Sequence, residues 1–384
     1  MPESIGTPAM TLGVVGGGQL GRMMAEAAAP LGVELIVLDP TPNPPGAAVS
    51  RDTITADFDD EEAMRELAER SDALTFEIEL ADPDLLERVS EAAGIPVHPS
   101  PDTLRTIEDK LVQKRELRSA GIPVPSFYAV DDPDDVRDAV AEFGSVMLKA
   151  RTGGYDGRGN VPVSDPDDAP ETFEAVGGSA MAESFVDFDR EVSVIGVKGA
   201  DEIATYPIGE NVHEEEILRE TIVPSRSPEG VEKRAREVAR DVLELLDGRG
   251  VYGIELFEVD GNVLLNEIAP RPHNSGHWTI EGALTSQFEQ HVRAVLGWPL
   301  GPTDRRATTV MANLLGDVEN PETPTLHGVD RVLSADGVSL HWYGKKEVRP
   351  LRKMGHFTVV GQEASAETVL ARAGTVRDAL TFDP

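Results

Sequence analysis

The first hundred residues alternate short apolar runs with amphipathic segments. Three apolar runs have the length of strands buried on both faces, namely residues 10–15, 33–38 and 73–76. Three other segments have the spacing of amphipathic helices, namely residues 20–29, 61–69 and 83–93. This alternation predicts a parallel, doubly wound sheet, so we expect residues 1–100 to form an α/β, Rossmann-like domain.

The next two segments differ in pattern from this domain. Residues 101–125 are predicted to form a helical connector. Residues 126–188 are predicted to form a compact α+β unit, with a helix at 133–143 and a strand at 145–150. We therefore expect a small separate unit after the connector.

Two further units complete the predicted organisation. Residues 189–330 are strand-rich and contain a long amphipathic helix at 229–246. Residues 331–384 have the pattern of a small β unit that is closed by a helix at 364–380. The chain as a whole is therefore predicted to be an α/β protein of several packed units.

The charge of the chain limits its partners. The 384 residues include 69 Asp and Glu against 35 Lys and Arg, which gives a net charge of −34. Such a charge repels nucleic acid and anionic membranes, so we expect neither as a partner. Only eight of the basic residues are lysines. This composition resembles halophilic proteins, since molar salt shortens the Debye length to about 3 Å and screens self-repulsion.

Three absences lead us to expect a cytoplasmic protein. The chain has no cysteine, which excludes disulfides, thiolate metal sites and a cysteine nucleophile. No apolar run reaches the ~20 residues of a membrane-spanning helix. The N-terminus has no basic segment followed by an apolar stretch, which a secretion signal requires.

A glycine-rich turn follows the first predicted strand. Gly16, Gly18 and Gly21 match G-x-G-x-x-G, and Asp39 ends the next strand, where dinucleotide sites have a ribose-binding acid. Glycines allow backbone amides to approach an anion at the positive end of a helix. The motif alone leaves three interpretations open: a dinucleotide site, a site for another phosphate, and a tightly packed strand–helix corner.

A second glycine-rich segment, residues 151–160, follows the strand that contains Lys149. Its four glycines can fold their amides over phosphates, although it lacks the G-K-[ST] ending of a Walker A loop. The alternative is a polar hairpin turn. Arg151, Arg158 and the preceding lysine favour the phosphate interpretation, because lysine is scarce in this chain.

Acidic residues on the following predicted strands are candidates for an adenosine pocket. Residues 183–186 and 189–194 have the pattern of short strands, and they contain Glu183 and Glu191. Backbone groups of such strands can bind the adenine edge, while a carboxylate takes ribose hydroxyls. The alternative is ordinary solvated acid, which is common in a chain with 69 acidic residues.

Two later carboxylates differ from ordinary solvated acidic residues, because they lie next to each other on two predicted strands. Glu255 and Glu267 lie on adjacent predicted strands, which are joined by the typical turn pair Asp260 and Gly261. Together with the amide oxygen of Asn266, they are hard oxygen ligands suited to a Mg²⁺ ion that bridges ATP phosphates.

The segment after Glu267 is rich in groups that bind anions or move protons. It contains Arg271, His273 and His277 within ten residues. Local hydrogen bonding in a loop is the alternative for an isolated histidine. Two histidines beside an arginine and a predicted metal ligand favour a place in the active site.

The C-terminal unit carries a local positive charge. Five basic residues fall within nine positions, namely Lys345, Lys346, Arg349, Arg352 and Lys353. Arginine and lysine together suit a phosphate monoester. The alternative is an ion-pair patch against the acidic body or against a dimer partner.

Together these motifs resemble the ATP-grasp superfamily and, within it, the N5-carboxyaminoimidazole ribonucleotide synthase family of purine biosynthesis. The resemblance runs from residue 16 to about residue 356. It rests on residues 18–23, 75–79, 149–160, 265–279, 286–289, 343–345 and 352–356. A biotin carboxylase or a peptide ligase would share the nucleotide-binding core but not the last three stretches.

The resemblance implies an ATP-dependent carbon–nitrogen ligase with an ATP-grasp fold. Residues 126–188 would be the lid and residues 189–330 the large part of the ATP-grasp module. The enzyme would use ATP with Mg²⁺ or Mn²⁺ to carboxylate 5-aminoimidazole ribonucleotide with bicarbonate, through carboxyphosphate. Its products would be N5-carboxyaminoimidazole ribonucleotide, ADP and phosphate. The family also implies a homodimer.

The resemblance further implies a role for each matching residue. ATP would be bound by Lys110, Lys149, Gly154, Tyr155, Asp156, Gly157, Arg158, Gly159, Asn160, Glu183, Ser184, Phe185, Val186, Glu191, His213, Asn266 and Glu267. The metal would be held by Glu255 and Glu267. The ribonucleotide would be held by Gly18, Gln19, Leu20, Glu77, Arg271, Ser275, Lys345, Arg352 and Lys353. The reacting groups would be surrounded by Tyr155, Asp156, Arg271, His273, Asn274 and Lys353.

Two residues depart from the family pattern. Asn160 stands where a glutamine is usual, and Glu216 replaces a common small residue. Neither change removes a group that the chemistry needs. Asp156 and His273 both remain candidates for the base that takes the amine proton.

Three rival functions remain open. A different ATP-grasp ligase would act on another acceptor, although the basic C-terminal cluster favours a phosphorylated one. An NAD oxidoreductase would use the first glycine-rich turn but leaves Glu255 and Glu267 unexplained. A non-catalytic nucleotide sensor would not need Arg271 and Lys353 beside intact metal carboxylates.

Overall fold

The computed structural model describes residues 10–153 and 159–382 of the chain. Within these residues the strands form three sheets of four, nine and four strands. None of the described helices is long and apolar enough to cross a membrane.

Alternating strands and helices build the first sheet. Its elements are β1 (Thr11–Val15), α1 (Gln19–Ala28), β2 (Glu34–Leu38), β3 (Asp52–Ile54), α2 (Glu61–Glu69), β4 (Ala73–Phe76) and α3 (Pro83–Ala93). The strand order is β3-β2-β1-β4, and every pair is parallel. Strands β1 and β4 are buried along their whole length, as apolar runs with helices on both faces require. The predicted parallel sheet is confirmed.

Local signals fix the ends of the helices in this domain. The carboxylates of Asp60 and Asp82 accept hydrogen bonds from the first free amides of α2 and α3. Pro83 occupies the first turn of α3, where a missing amide hydrogen costs nothing. Gly94 ends α3 with a φ of 69°, a conformation that glycine adopts without strain.

Two consecutive helices form the connector. They are α4 (Pro101–Glu108) and α5 (Lys110–Ser119). Asp109 separates them, and its carboxylate accepts hydrogen bonds from the amides of Leu111 and Val112 at the start of α5. Helix α5 therefore begins with Lys110.

The second sheet belongs to a small α/β unit. Its elements are β5 (Phe127–Val130), α6 (Pro133–Phe143), β6 (Val146–Ala150), β7 (Asn160–Val163), α7 (Ala169–Ala175) and β8 (Ala180–Ser184). The strand order is β5-β8-β6-β7, and all pairs are antiparallel. Strand β8 ends at Ser184, so Phe185 and Val186 lie outside the strand predicted at residues 183–186. The chain leaves the small sheet there and crosses to the large one.

The nine-stranded sheet is the centre of the molecule. Its first elements are β9 (Arg190–Lys198), β10 (Ile203–Thr205), β11 (Gly209–Glu214), β12 (Ile217–Val223), α8 (Glu229–Leu245), β13 (Gly250–Val259), β14 (Asn262–Ala269), α9 (Thr279–Gly282), α10 (Gln287–Val295) and β15 (Thr308–Leu315). Asp260 and Gly261 turn β13 into β14 with φ values of 48° and 76°. The predicted hairpin between the two carboxylate strands is therefore present.

The C-terminal residues add two strands to this sheet. The elements are α11 (Val329–Leu333), β16 (Val338–Trp342), β17 (Lys353–Gly361) and α12 (Ala366–Arg377). The strand order is β14-β13-β9-β11-β12-β15-β17-β16, with β10 beside β9. Because β15 pairs with both β12 and β17, the strands of the C-terminal unit continue the central sheet. The C-terminal unit thus supplies the edge of the central sheet opposite to β14.

Candidate active site

The amides of the first glycine-rich turn are bound by carboxylates of the protein itself. The amides of Gly18 and Gly21 donate to the two carboxylate oxygens of Glu77, the latter at 2.6 Å. The amide of Gly17 donates to Asp39 Oδ2 at 2.8 Å. These are the groups that a dinucleotide pyrophosphate would need. The geometry therefore disfavours the dinucleotide interpretation of this motif.

Glu77 closes this turn from the end of β4. The turn and this carboxylate are closely packed, because a Cβ atom on Gly18 would lie 2.7 Å from Glu77 Oε1 and the glutamate side chain would have to shift. Burial raises the pKa of Glu77, against the hydrogen bonds from the two amides and the positive charge of Arg271. Of the predicted ribonucleotide contacts here, Leu20 packs in the core of the domain.

Arg271 joins the N-terminal domain to the large sheet. Its guanidinium lies 2.8 Å from Glu79 Oε1, two residues beyond Glu77. The nearby carboxylates raise the pKa of Arg271 against the effect of burial, so the group is always charged. A positive charge is thus held where the two domains meet.

Two lysines face carboxylates at the junction of the small and large sheets. Lys149 Nζ on β6 lies 2.8 Å from Glu183 Oε1 on β8, and Lys110 Nζ on α5 lies 3.1 Å from Glu267 Oε1 on β14. Their side chains are 14% and 19% exposed. The sequence predicted that these four residues share one site, and the structure brings them together.

Sequence reasoning did not assign a role to Lys114. This lysine is 2% exposed and lies 2.8 Å from Glu183 Oε2. The sequence does contain a sign of its importance. Lys114 follows Lys110 by one helical turn, and the chain contains only eight lysines.

The second glycine-rich segment joins β6 to β7 beside these lysines. The amide of Ala150 donates to the carbonyl of Gly159 at 2.9 Å, and Arg151 pairs with the carboxylate of Asp109. Asn160 pairs with Lys149 at the start of β7. The predicted nucleotide contacts Gly154, Tyr155, Asp156, Gly157 and Arg158 lie outside the described residues.

A cavity of about 620 Å³ opens beside the end of β8. Its lining includes Ser184, Phe185 and Val186, the residues expected at the adenine edge, and extends to Leu264 on β14. The side chain of Phe188, another lining residue, stacks on Phe257 with ring centres 4.9 Å apart. A cavity of this size, lined by both polar and apolar residues, is large enough for a flat base.

Glu255 and Glu267 are cross-strand partners on the β13–β14 hairpin. Burial, reinforced by the negative charge of Glu267, raises the pKa of Glu255 to about 7. Two hard oxygen ligands that repel each other fit a divalent cation. Among the described residues, however, no group of three or more acids and histidines is placed to hold a metal ion. Any cation here would therefore need further ligands from a phosphate or from water.

Two histidines lie next to these carboxylates. His273 Nε2 is 3.7 Å from Glu255 Oε1, and burial together with the charge of Arg271 lowers the pKa of His273 to about 3. His213 forms an ion pair with Glu191, which raises the pKa of His213 against the effect of burial. At neutral pH His273 is thus uncharged, and its Nε2 faces the acids.

Ser275 and His277 have roles in support of this arrangement. Ser275 is fully buried, and its hydroxyl lies 2.9 Å from His273 Nδ1, so it orients that ring. Its predicted contact with the ribonucleotide stays a prediction. His277 was expected among the reactive groups, but it is fully buried between Gln287 and His356 and belongs to the core. The sequence alone did not reveal that the side chain of His277 is buried against His356.

Lys353 links the C-terminal basic cluster to the carboxylates. It stands at the first position of β17, and its charge acts on Glu255, His213 and His273. Lys345 Nζ donates to the carbonyl of Lys353 at 2.7 Å. The two lysines that sequence reasoning singled out as ligands of the acceptor therefore lie beside each other.

The rest of the basic cluster borders the N-terminal domain. Lys346 Nζ donates to the carbonyl of Pro42 at 3.1 Å, and Arg22 of α1 donates to the carbonyl of Tyr343 at 3.4 Å. Arg352 donates to the carbonyl of Glu347 at 2.8 Å. The basic cluster therefore lies against the N-terminal domain, next to α1 and the segment that contains Pro42.

Three family models match successive parts of the chain. Residues 9–108 match the ribonucleotide synthetase preATP-grasp domain, residues 115–288 the ATP-grasp domain, and residues 309–371 the phosphoribosylaminoimidazole carboxylase C-terminal domain.

Two curated relatives are similar to nearly the whole chain. It is 42% identical over 357 residues to the N5-carboxyaminoimidazole ribonucleotide synthase of Brucella melitensis, covering 91% of this chain and 96% of that protein. It is 41% identical over 361 residues to the phosphoribosylaminoimidazole carboxylase of Schizosaccharomyces pombe, covering 91% of this chain. The chain spans only 64% of the length of the latter protein.

Two solved structures superimpose closely. The N5-carboxyaminoimidazole ribonucleotide synthetase of Thermotoga maritima gives a TM-score of 0.87 at 42% identity, covering 97% of this chain and 99% of that one. The synthase of Aspergillus clavatus, solved with ADP and 5-aminoimidazole ribonucleotide, gives a TM-score of 0.86 at 36% identity, covering 96% of this chain and 98% of that one.

Proposed function

This chain belongs to the N5-carboxyaminoimidazole ribonucleotide synthase family, and we propose that it catalyses the family's reaction. The enzyme is an ATP-dependent carbon–nitrogen ligase that carboxylates 5-aminoimidazole ribonucleotide with bicarbonate in purine biosynthesis. The observation that carries the proposal is the position of Lys353. It acts on the carboxylates of the nucleotide site and contacts Lys345 of the cluster suited to a phosphorylated acceptor.

ATP binds between the small and large sheets. The adenine occupies the cavity beside the end of β8, which is lined by Ser184, Phe185 and Val186. The phosphates displace carboxylates from Lys110 and Lys149, which are already paired with anions and are open to the cleft. Glu191 takes the ribose hydroxyls, and His213 holds the carboxylate of Glu191 in place.

Glu255 and Glu267 would hold Mg²⁺ or Mn²⁺ beside the phosphates. The cation supplies neutralising charge to the triphosphate when it is bound. Two carboxylates, with no third acid or histidine placed beside them among the described residues, would suit an ion that also binds substrate oxygens and water. Asn266, which precedes Glu267, contributes to the nucleotide site.

The ribonucleotide binds in the cleft between the N-terminal domain and the basic cluster. Its phosphate lies near Lys345 and Arg352, and its sugar faces Gln19 and Glu77 at the start of α1. Positive charge around a cleft in a protein of net charge −34 attracts an anionic substrate locally. The exocyclic amine then points toward Arg271 and Lys353.

The reaction takes place in two displacements. A bicarbonate oxygen bonds to the γ-phosphorus as the bond from that phosphorus to the β–γ bridging oxygen breaks, which gives carboxyphosphate and ADP. The amine nitrogen then bonds to the carboxyl carbon, directly or after release of CO2, as the carbon–oxygen bond to phosphate breaks. One amine proton passes to a base, for which Asp156 and the neutral imidazole of His273 remain the candidates.

The protein contributes charge and orientation to both steps. Lys149 stabilises the charge that develops on the transferred phosphoryl group, and Arg271 stabilises the carboxyl oxygens. The segment 151–160 excludes water from the intermediate, which water would hydrolyse. By the family resemblance, Tyr155 and Asn274 would also act on the reacting groups.

Three wider properties complete the proposal. Homodimerisation follows from the family resemblance. A requirement for molar salt follows from the excess of acid and the scarcity of lysine. A cytoplasmic location follows from a role in purine biosynthesis.

The test is ADP release in high KCl with Mg²⁺, ATP and bicarbonate, with and without 5-aminoimidazole ribonucleotide. Strong dependence on the ribonucleotide is expected. ATP turnover that is indifferent to it would leave the ATP-grasp assignment intact but overturn the proposed acceptor. Absence of any turnover at all salt concentrations would favour a nucleotide sensor.

A further inference from the structure

Lys114 connects the small sheet to the large sheet. Its ammonium lies 2.8 Å from Glu183 Oε2 on β8. The same ammonium donates to the carbonyl oxygens of Leu265 and Asn266 on β14, each at 2.9 Å. These two residues immediately precede Glu267. One buried nitrogen therefore holds together two strands that belong to different units.

The contacts of Lys114 differ from those of the lysines that face the cleft. Two N–H donors of the Lys114 ammonium bind carbonyl oxygens on β14, and Glu183 Oε2 lies within ion-pair distance of the same nitrogen. Its side chain is 2% exposed, whereas Lys149 and Lys110 are 14% and 19% exposed. Lys114 is consequently enclosed by protein oxygens and has no open path to a phosphate.

The position of Lys114 on α5 sets its direction. Residues four apart lie on one face of a helix, so Lys110 and Lys114 both point toward β14. Lys110 pairs with the side chain of Glu267, while Lys114 binds the backbone just before it. Lysine in the first turn of a helix is unfavourable to the helix dipole, so local helix preference does not explain Lys110 at the start of α5.

We propose that Lys114 is a positioning residue for the nucleotide site. By binding Glu183 it fixes the carboxylate that pairs with Lys149, and by binding β14 it fixes the backbone that presents Glu267. The proposal rests on the proposed function in one respect, namely that this cleft binds ATP.

The mechanism is a shared anchor for two lysine–carboxylate pairs. Glu183 accepts a hydrogen bond from Lys149 through Oε1 and is ion-paired with Lys114 through Oε2. Without Lys114, the full charge of Glu183 is left to Lys149, and the carboxylate competes more strongly with a phosphate for that ammonium. The strand that carries Glu267 also loses two hydrogen bonds to α5. Both effects weaken nucleotide binding and leave the ribonucleotide cleft unchanged.

The experiment compares Lys114→Met with wild type. Methionine keeps the length and removes the charge and the donors. We measure KM for ATP, KM for the ribonucleotide and kcat, and we titrate ADP with Mg²⁺ by calorimetry. The expected result is a rise of tenfold or more in KM for ATP and in the dissociation constant of ADP, with KM for the ribonucleotide unchanged. Equal changes for both substrates would overturn the proposal.

Lys198→Met is the matched control. Lys198 Nζ donates to the carbonyl of Leu246 at 2.5 Å, on the far end of β9. This variant removes a lysine that also binds backbone but that lies away from the nucleotide site. Its ADP affinity should equal that of wild type. A similar loss of ADP affinity in both variants would mean that the effect of Lys114 is general destabilisation, and this would overturn the proposal.

A second variant keeps the test decisive if Lys114→Met does not fold. Lys114→Arg retains the charge, but its planar fork cannot reach the three oxygens from the same position. We expect a several-fold rise in KM for ATP, smaller than that of a folded Met variant, with no change for the ribonucleotide. Unchanged KM for ATP in Lys114→Arg, or a fall in thermal midpoint with unchanged ADP affinity, would overturn the positioning role.

The ADP titration separates this proposal from the proposed function. It needs no acceptor, so it reports on Lys114 even if ATP turnover does not depend on 5-aminoimidazole ribonucleotide. In that case the choice of acceptor fails, while a selective loss of ADP affinity in Lys114→Met still supports the positioning role.

Discussion

Glu255 and Glu267 face each other across the β13–β14 hairpin, and their surroundings separate their pKa values. Burial and the charge of Glu267 raise the pKa of Glu255 to about 7. Desolvation also acts on Glu267, although its side chain is 54% exposed, but Lys110 and Lys149 outweigh this effect and hold the pKa of Glu267 at about 2. One carboxylate is therefore always charged near neutral pH, while the other gains its charge there.

This relationship predicts a pH-dependent effect of Glu255→Gln on the ligand-free protein. The folded pKa of Glu255 lies above its ordinary value, so its contribution to stability is complete below about pH 4.5 and is lost as pH rises through 7. Glutamine is neutral at every pH. The variant should gain roughly 1–3 kcal/mol over wild type at pH 8 and little at pH 5.

Urea unfolding with EDTA at constant KCl measures this difference. Glu237→Gln, on the exposed face of α8, is the control and should behave alike at both pH values. If Glu255→Gln changes the free energy of unfolding by the same amount at pH 5 and pH 8, the charge of Glu255 does not destabilise the folded protein, and the prediction is wrong.

Arg271 should matter more for turnover than for ATP affinity. Its guanidinium pairs with Glu79 on the acceptor side of the site, not with the groups around Lys149. We expect Arg271→Ala to lower kcat by about 10²-fold or more, because it removes a charge aimed at the reacting carboxyl. The dissociation constant of ADP should change by only a few-fold, as calorimetry can determine.

The control for Arg271 is Arg293→Ala. Arg293 also pairs with a glutamate, Glu289, but it lies on α10 away from the cleft. It should leave kcat near the wild-type value. If Arg271→Ala weakens ADP binding as much as it slows turnover, its proposed place beside the carboxyl group is wrong.

Most of the architecture followed from patterns that act over short distances. The parallel first sheet, the β13–β14 hairpin and the helix at residues 229–246 are set by apolar spacing and by turn residues. Helix α8 ends one residue earlier than predicted, at Leu245. The predicted fold class and family are confirmed by relatives and structures that match nearly the whole chain.

The features that sequence missed depend on contacts between distant elements. The strands of the C-terminal unit join the central sheet because β15 pairs on both sides, and strand pairing has no local signal. His277 looked reactive beside His273, but its ring points into the core. Lys114 could be located one turn after Lys110, yet its partners on β8 and β14 are fixed only by the tertiary fold.

Lys345 should recognise the phosphate of the acceptor. It lies beside Lys353 in the cleft, and loss of one charged contact to a phosphate weakens binding. We expect Lys345→Ala to raise KM for 5-aminoimidazole ribonucleotide about tenfold and to leave KM for ATP unchanged. Steady-state rates with each substrate varied in turn provide the measurement.

Comparison with the unphosphorylated riboside sharpens this prediction. The variant should lose the preference of wild type for the ribonucleotide, because only the phosphate contact is removed. Lys346→Ala is the control, since Lys346 is exposed and donates to the carbonyl of Pro42. A preference that survives in Lys345→Ala would place the phosphate elsewhere.

Gly253 holds open the space that the ring of His273 occupies. It lies on β13, two residues before Glu255, and a Cβ atom there would come within 2.6 Å of His273 Cγ. Gly253→Ala must therefore displace the loop that contains His273, at a cost of roughly 1–3 kcal/mol in stability. Because His273 Nε2 faces Glu255, we expect kcat to fall about tenfold or more while ADP affinity is kept.

The control for Gly253 is Gly230→Ala. Gly230 lies in α8, where an added Cβ meets nothing within 4 Å, so alanine should stabilise the helix by roughly 0.5–1 kcal/mol without changing kcat. Activity and urea unfolding of the two variants can be compared at the same salt. A normal kcat in Gly253→Ala, despite the expected loss of stability, would mean that the position of His273 does not limit the reaction, and Asp156 would then be the remaining candidate for the base.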